Sequence, residues 1–397
     1  MTPEPAAPPP PSGGQRSGGV GLPARVGINA VFLMPGMGGL DTYVQELVPE
    51  LVRLAPTVHF SIFCSKAGAE HLRQLSWADE VEFVTHPMLG RRGLKAVSEM
   101  TVLGMLAGRR VDLLHSVGMT APLRTRAVNV VMIADVIWML GPPANATFRL
   151  WRLLVPPLAR RADRIITISD AAAEQIELHL HVPRERIDVT LLGHAMHRAR
   201  GQLPEDQLRD RFSLGEETIV LTVAARRPHK NLLRLIAAMP AVLAARPETM
   251  LVLCGAATPH DAELRAVARR LGVADHVAFL PFVDSVELEG LYAAAACFVL
   301  PSITEGFGLP LLEAMGRGVP VACSNISALP EVAGDAAHYF DPFDVSDIAR
   351  AITEILADPR LAERLVAAGR RRESSLTWER TAERTLESYE RAWQSRT

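Results

Sequence analysis

The stretch "PSITEGFGLPLLEAMGRGVPV", Pro301–Val321, places Glu305 just ahead of a Gly-Phe-Gly-Leu-Pro turn and Glu313 eight positions later. The residues leading into it, "ACFVLPS", form a short apolar run that reads as a buried strand. "GLPLLEAMGRG" reads as a helix with Pro310 in its first turn and Gly316 or Gly318 at its end. The order is strand, glycine loop, helix start. The free N–H groups and positive dipole end of such a helix make a ready anion site. Glu305 lies in the loop ahead of that end, and Glu313 lies about one turn in, on the face of Leu309. A ligand with a phosphate at its middle and hydroxyl groups at both ends suits this arrangement. Glycines that merely permit a bend would explain the turn, but not two carboxylates bracketing it.

Outward from this stretch the chain keeps the same rhythm. From Arg25 onward the β-rich runs "VGINAVFLM", "VHFSIFC", "VEFVT", "VDLLH", "VNVVMI", "RIITI" and "IDVTLL" alternate with amphipathic segments such as "LDTYVQELVPELVRL" and "SDAAAEQIELHL". The polar stretch "GHAMHRARGQLPEDQLRDRF" interrupts them. A second set follows: "TIVLTV", "MLVLC", "HVAFL", "ACFVL", "VPVAC" and "AHYF". Alternation of this kind predicts parallel sheets with helices on both faces. The expected fold is α/β, with two doubly wound, Rossmann-like domains, residues 25–198 and 199–376, facing a cleft. Ligands in such folds bind beyond the carboxyl ends of the strands, so the cleft is the expected site. The closing "TWERTAERTLESYERAWQ" reads as a last amphipathic helix, residues 377–397. Residues 1–24, rich in Pro, Gly and Ala without an apolar core, read as a disordered tail and not a signal peptide.

Composition excludes several classes. A formal net charge of −2 gives no pull toward nucleic acid or acidic membranes. The 12 histidines form no H-E-x-x-H pattern. Cys64, Cys254, Cys297 and Cys323 are far apart without a C-x-x-C, which reads as buried free thiols in a reducing compartment. No run reaches the roughly 18 apolar residues of a membrane span; "AVNVVMIADVIWML" is short and carries Asp135. A soluble, cytoplasmic chain is expected. "LGRRGLKAVSEMTVLGMLAGRR" mixes basic and apolar residues, which suits weak peripheral contact with a membrane. A helix packed on the sheet with solvated arginines is the simpler account. There is no D-x-D, no G-x-x-x-x-G-K-[ST] and no G-x-S-x-G.

Two other places carry chemistry. "AARRPHKNLLRLI", Ala224–Ile236, clusters Arg226, Arg227, His229 and Lys230 at the carboxyl end of a strand. Fixed cations there would neutralise a diphosphate, Arg in bidentate fashion; a solvated basic loop fits the residues equally well. "MPGMGGLDTYVQEL" sets Gly38 and Gly39 before a helix, leaving N–H groups near the cleft. A glycine turn without a ligand fits there too.

"PSITEGFGLPLLEAMGRGVPVACSNISALPEVAGDAAHYFDPFD" closely resembles the donor-binding segment of the retaining glycosyltransferases of family 4, enzymes of the two-Rossmann GT-B fold. Their signature is two glutamates with seven residues between them, matched by Glu305 and Glu313. "PHKNL", "GGLDTYVQEL" and "ADRIITISD" are also similar to family segments. The resemblance runs from about Val26 to the closing helix, which in the family crosses back onto the N-terminal domain.

The resemblance implies roles. Glu305 would bind hydroxyls of the transferred sugar, with the N–H groups of Gly306, Phe307 and Gly308. The helix start near Leu309 would face the diphosphate, and Glu313 would hold the ribose. Lys230 and an upstream arginine would stabilise the leaving nucleoside diphosphate in place of a metal. Gly38 and Gly39 would border the phosphates from the opposite domain. The family's arginine slot falls on Ala225, so Arg226 is the substitute, with Arg227 as the alternative. Where relatives carry His-Asp, this chain has Ala134 and Asp135. The implied activity is metal-independent transfer of a hexose, with retention, from a UDP- or GDP-sugar to a saccharide or lipid-linked hydroxyl. No cofactor is implied. "SNISALPEVAGDAA" leans toward polysaccharide or glycoconjugate assembly and GDP-mannose. Two alternatives stand beside it: a nucleotide-sugar 2-epimerase on the same fold, and a catalytically silent subunit that binds nucleotide sugar, which Ala134 would suit.

Overall fold

Strands that are apolar on both faces need cover above and below, and parallel βαβ crossovers supply it. The computed structural model of the chain describes residues 21–33, 39–90, 95–140, 146–194 and 201–396. Among these, β1 (Arg25–Asn29), β2 (His59–Cys64), β3 (Glu82–Thr85), β4 (Leu113–Ser116), β5 (Val128–Met132), β6 (Arg164–Thr167) and β7 (Ile187–Val189) form one parallel sheet. Its order is β3-β2-β1-β4-β5-β6-β7. A second parallel sheet runs β10-β9-β8-β11-β12-β13. It is built from β8 (Thr218–Val223), β9 (Thr249–Cys254), β10 (Val277–Leu280), β11 (Ala295–Leu300), β12 (Val321–Ser324) and β13 (Ala337–Phe340). Every β-rich run singled out in the sequence overlaps one of these strands. Each sheet reverses its winding beside its first strand, between β1 and β4 and between β8 and β11. A crevice opens beyond the strand ends at such a switch point.

Gly38 and residues 1–20 lie outside the described residues. Residues 21–24, read as tail, belong in part to the fold. Leu22 packs on the core, Pro23 is buried, and the Ala24 carbonyl accepts the His59 N–H at 2.8 Å. The basic, apolar segment after Leu89 packs on the sheet. It continues from helix Lys95–Ser98 through a π-helical turn, Glu99–Leu103, into helix Gly104–Arg110. Leu103 and Ala107 are fully buried there, while Val97 and Met105 face solvent. The π turn carries the Glu99 carboxylate inside, where Asn29 Nδ2 donates to it at 2.6 Å and Thr120 Oγ1 at 2.7 Å. One buried acid thus ties the end of β1 to the turn after β4. All four cysteines are buried and free.

The chain closes on its beginning. Helix Trp378–Gln394 packs on helix Gly39–Leu54 and across β5, β6 and β7. Its buried Trp378, Ala382, Tyr389 and Ala392 recur at helical spacing. Tyr389 Oη lies 2.8 Å from His115 Nδ1, and Ser388 Oγ donates to Asp188 at 2.6 Å. Gly193 is pressed against the entry to this helix. A Cβ there would stand 2.3 Å from the Trp378 nitrogen and 2.6 Å from the Thr377 carbonyl carbon. Backbone cannot swing away as a side chain can. Gly193→Ala should therefore destabilise the protein by about 1–3 kcal/mol, read as a lower Tm in thermal unfolding. An unchanged Tm would show that the crossover gives way freely.

Candidate active site

β11 delivers the chain into a loop that helix Leu309–Gly316 resumes. Gly308 caps this helix with φ +100°, and a Cβ there would lie 2.7 Å from Leu329 Cδ2. Both conformation and space demand glycine. Pro310 sits in the first turn, and no side chain caps the helix start. Gly308, Leu309 and Pro310 line a cavity of about 400 Å³, so the positive end of the helix opens on it.

Glu305 is fixed at both backbone and side chain. Ser327 Oγ accepts the Glu305 N–H at 3.0 Å and donates to its carbonyl at 2.9 Å. Glu305 Oε1 accepts from Ser302 Oγ at 2.7 Å and from Lys230 Nζ at 2.6 Å. The Glu305 and Lys230 side chains are only 10% and 18% exposed, so salt screens the pair little. Lys230 ends a short turn after β8, and the His229 carbonyl there accepts the Ile303 N–H at 2.9 Å. The loops after the adjacent strands β8 and β11 are thereby laced together. Burial pushes the His229 imidazole down to about 4, with Lys230 acting the same way, so it is neutral near pH 7.

The first domain closes over this loop. Asp135, just past β5, accepts the Ile137 N–H at 2.9 Å. Burial raises its carboxyl above the usual range. The Ile137 hydrogen bond opposes the shift, negative Glu305 adds to it, and Lys230 opposes it. A Cβ at Gly306 would lie 3.1 Å from Asp135 Cβ and 3.2 Å from the Ala134 carbonyl oxygen. Ser169 Oγ donates to the Gly306 carbonyl at 2.8 Å. The glycine loop of one domain is held between Asp135 and Ser169 of the other.

The structure thus gathers Gly39, Ala134, Asp135, Glu305, Gly306, Phe307, Gly308 and Leu309 around one cavity, with Lys230 paired to Glu305. Glu313 stands apart from that cavity. Its Oε2 accepts from Tyr292 Oη at 2.9 Å, and the Arg317 guanidinium lies 4.7 Å from the Tyr292 ring centre. Arg226 requires a correction. The sequence reading set it beside Lys230 as a free cation for a diphosphate. Its guanidinium is instead buried, with Nε donating to Asp261 at 2.8 Å and Nη1 to the carbonyls of Leu253 at 3.2 Å and Leu280 at 2.6 Å. Arg227 is the exposed member of the pair. Sequence reasoning passed over Ser302, Ser327, Ser169 and Tyr292. Serines in loops carry no distinguishing pattern, and only the folded chain brings Ser169 to Gly306.

Residues 205–372 match the family model described as Glycosyl transferases group 1, and residues 37–193 match Glycosyltransferase Family 4. The chain is 34% identical over 230 residues to O-antigen chain mannosyltransferase B of Escherichia coli, covering 57% of this chain and 60% of that protein. It is 27% identical over 372 residues to the GDP-mannose-dependent alpha-(1-6)-phosphatidylinositol monomannoside mannosyltransferase of Mycolicibacterium smegmatis, covering 85% and 90%. The match thus spans under two thirds of the first relative and nearly all of the second. Among solved structures, Anabaena HepE in complex with UDP and glucose superposes with a TM-score of 0.70 at 20% identity, covering 92% of this chain and 98% of that one. Likeness at that identity speaks to fold alone.

The pairing of Arg226 gives a direct test. Arg226→Ala leaves Asp261 and two carbonyls without their donor, and should destabilise the protein by about 3–5 kcal/mol. The folded fraction should bind nucleoside diphosphate with unchanged affinity by isothermal titration. A stable variant with weakened binding would restore Arg226 to the ligand.

Proposed function

Because the chain belongs to glycosyltransferase family 4 and has its GT-B fold, we propose that it transfers a hexose from a nucleoside-diphosphate sugar to an acceptor hydroxyl. In this reading the transfer retains configuration, needs no metal, and serves polysaccharide or glycoconjugate assembly. The observation that carries it is the Lys230–Glu305 pair, set 2.6 Å apart where an uncapped helix start meets Asp135 of the other domain. On donor binding the Glu305 carboxylate turns to hydroxyls of the sugar and Lys230 Nζ to the diphosphate. As the bond from the anomeric carbon to the diphosphate oxygen breaks, negative charge grows on that oxygen. Lys230 and the helix dipole stabilise it. The acceptor oxygen bonds to the anomeric carbon from the same face, and its proton passes to the departing diphosphate. Asp135, supplied by the first domain beside the glycine loop, orients the sugar where the Ala134 side chain offers no hydrogen bond. Gly39 borders the phosphates, and Glu313, one turn along the helix, holds the ribose.

Names of relatives favour GDP-mannose as the first donor to try, and HepE keeps UDP-glucose in the trial. No described helix is long and apolar enough to cross a membrane, and four buried free thiols suit a reducing, cytoplasmic setting. A thermal-shift screen of UDP, GDP, ADP and dTDP sugars identifies the donor. A ligand at 100 times its Kd should add about 2.7 kcal/mol. Lys230→Ala should cut turnover roughly a hundredfold or more, and EDTA should leave turnover unchanged. Near-normal turnover of the variant would remove Lys230 from the mechanism.

The two glutamates separate by their ligands. Glu313→Ala should weaken both nucleotide sugar and free nucleoside diphosphate, since ribose contacts are alike in ground and transition states. Glu305→Ala should spare free nucleoside diphosphate but depress turnover and blur discrimination between sugars. Each loss should be about 1.5–3 kcal/mol. Titration with nucleoside diphosphate beside steady-state kinetics decides, and the reverse pattern would overturn the assigned ligand orientation.

A further inference from the structure

The first domain lines the cavity chiefly with hydrocarbon, the Tyr43 ring included. Val117 and Met119 follow β4, Met132 ends β5, Ile168 follows β6, and Leu192 lies beyond β7; Leu40 completes the face. At about 400 Å³ the cavity lies within the range of small-ligand sites, roughly 300–1,000 Å³. Its carboxylates, Asp135 and Glu305, gather where the glycine loop enters. A hexose carries hydroxyls around its ring. Any hydroxyl pressed on the hydrocarbon wall would lose water without gaining a partner.

The wall is built rather than incidental. Met119 holds φ +41°, a left-handed conformation that a side chain adopts only where its surroundings fix it. They do so here: the Met119 N–H donates to the Met132 carbonyl at 3.1 Å, and the next residue, Thr120, is anchored on the buried Glu99. This conformation sets Met119 on the cavity wall, and the methionine thioether is an adaptable apolar surface.

We propose that the acceptor carries a hydrocarbon group beside the hydroxyl that is glycosylated. That group sits among Val117, Met119, Ile168 and Leu192, while the hydroxyl points toward Asp135. The proposal rests on the transferase reading. Two sources share this chemistry: the alkyl chain of a glycoside and the methyl group of a deoxyhexose. Titrations of the full chain, with and without nucleoside diphosphate, separate them. The probes are octyl β-D-glucoside below its micelle concentration against methyl β-D-glucoside, and L-rhamnose against L-mannose.

At least one apolar probe should bind tenfold or more tightly than its polar counterpart, and the pair that shows the gain names the source. Gly118 offers the control. A Cβ there has no heavy atom nearer than 3.9 Å, and its φ lies outside the left-handed range. Gly118→Leu should fill the space and abolish the tenfold preference while sparing nucleoside diphosphate affinity. Gly118→Ala should shrink the preference in the same direction, which keeps the test open if the larger side chain unfolds the protein. Equal binding within both pairs, or a preference untouched by both variants, overturns the proposal. Absence of nucleoside diphosphate binding would instead overturn the donor reading, since the apolar preference is read on the free protein.

Discussion

The ion pair between Lys230 and Glu305 joins the two loops on which the cleft is built. One follows β8, the other β11, and these strands are neighbours at the point where the second sheet reverses its winding. A largely hidden charge left alone there would be costly, whereas a paired one also hydrogen-bonded by Ser302 is tolerated. The pair stores the site in a neutral form. A sugar and a diphosphate entering together can take the two partners apart, each replaced by a group of the ligand, without stranding either charge. Either half of the ligand alone leaves one charge uncompensated.

Around that pair the first domain supplies contacts of a different kind. Ser169 reaches the carbonyl of Gly306, and one residue on, the Asp170 N–H donates to both oxygens of Glu331, at 3.0 and 2.8 Å. Glu331 belongs to helix Leu329–Ala333 of the second domain, so its carboxylate sits at the N-terminus of helix Asp170–Leu180 of the first. A negative group there is favoured by the dipole. The Ser169 hydrogen bond reaches the glycine loop directly, so the loop that meets the ligand also registers how the domains stand to each other.

The sheets were legible because buried parallel strands must be apolar on both faces, which leaves runs such as "TIVLTV" and "ACFVL". The glycine turn was legible because everything that defines it is local: Gly308 at positive φ, Pro310 behind it, Glu305 before it. Arg226 was misjudged because its partner, Asp261, lies 35 positions away on another element. No local pattern distinguishes a paired arginine from a free one. The same holds for Ser169 on Gly306, for Tyr292 on Glu313, and for Glu99, whose place inside depends on the extra residue of a π turn. The tail boundary was set late by the same logic, since Leu22 and Pro23 owe their places to a core that composition does not display.

The return of the last helix to the first domain has a consequence for the order of synthesis. Tyr43 and His115 are covered by Trp378 and Tyr389, residues made only after the second domain. On the ribosome the first sheet is complete as a polymer once β7 has emerged, yet its lid does not exist. At roughly 5–20 residues per second, that flank stays bare for on the order of ten seconds or more while the second domain is translated. The nascent first domain is therefore an unfinished object, open to chaperones and to neighbouring chains. Emergence of residues Trp378–Gln394 is a release step that couples translation of the second domain to burial of the flank of the first.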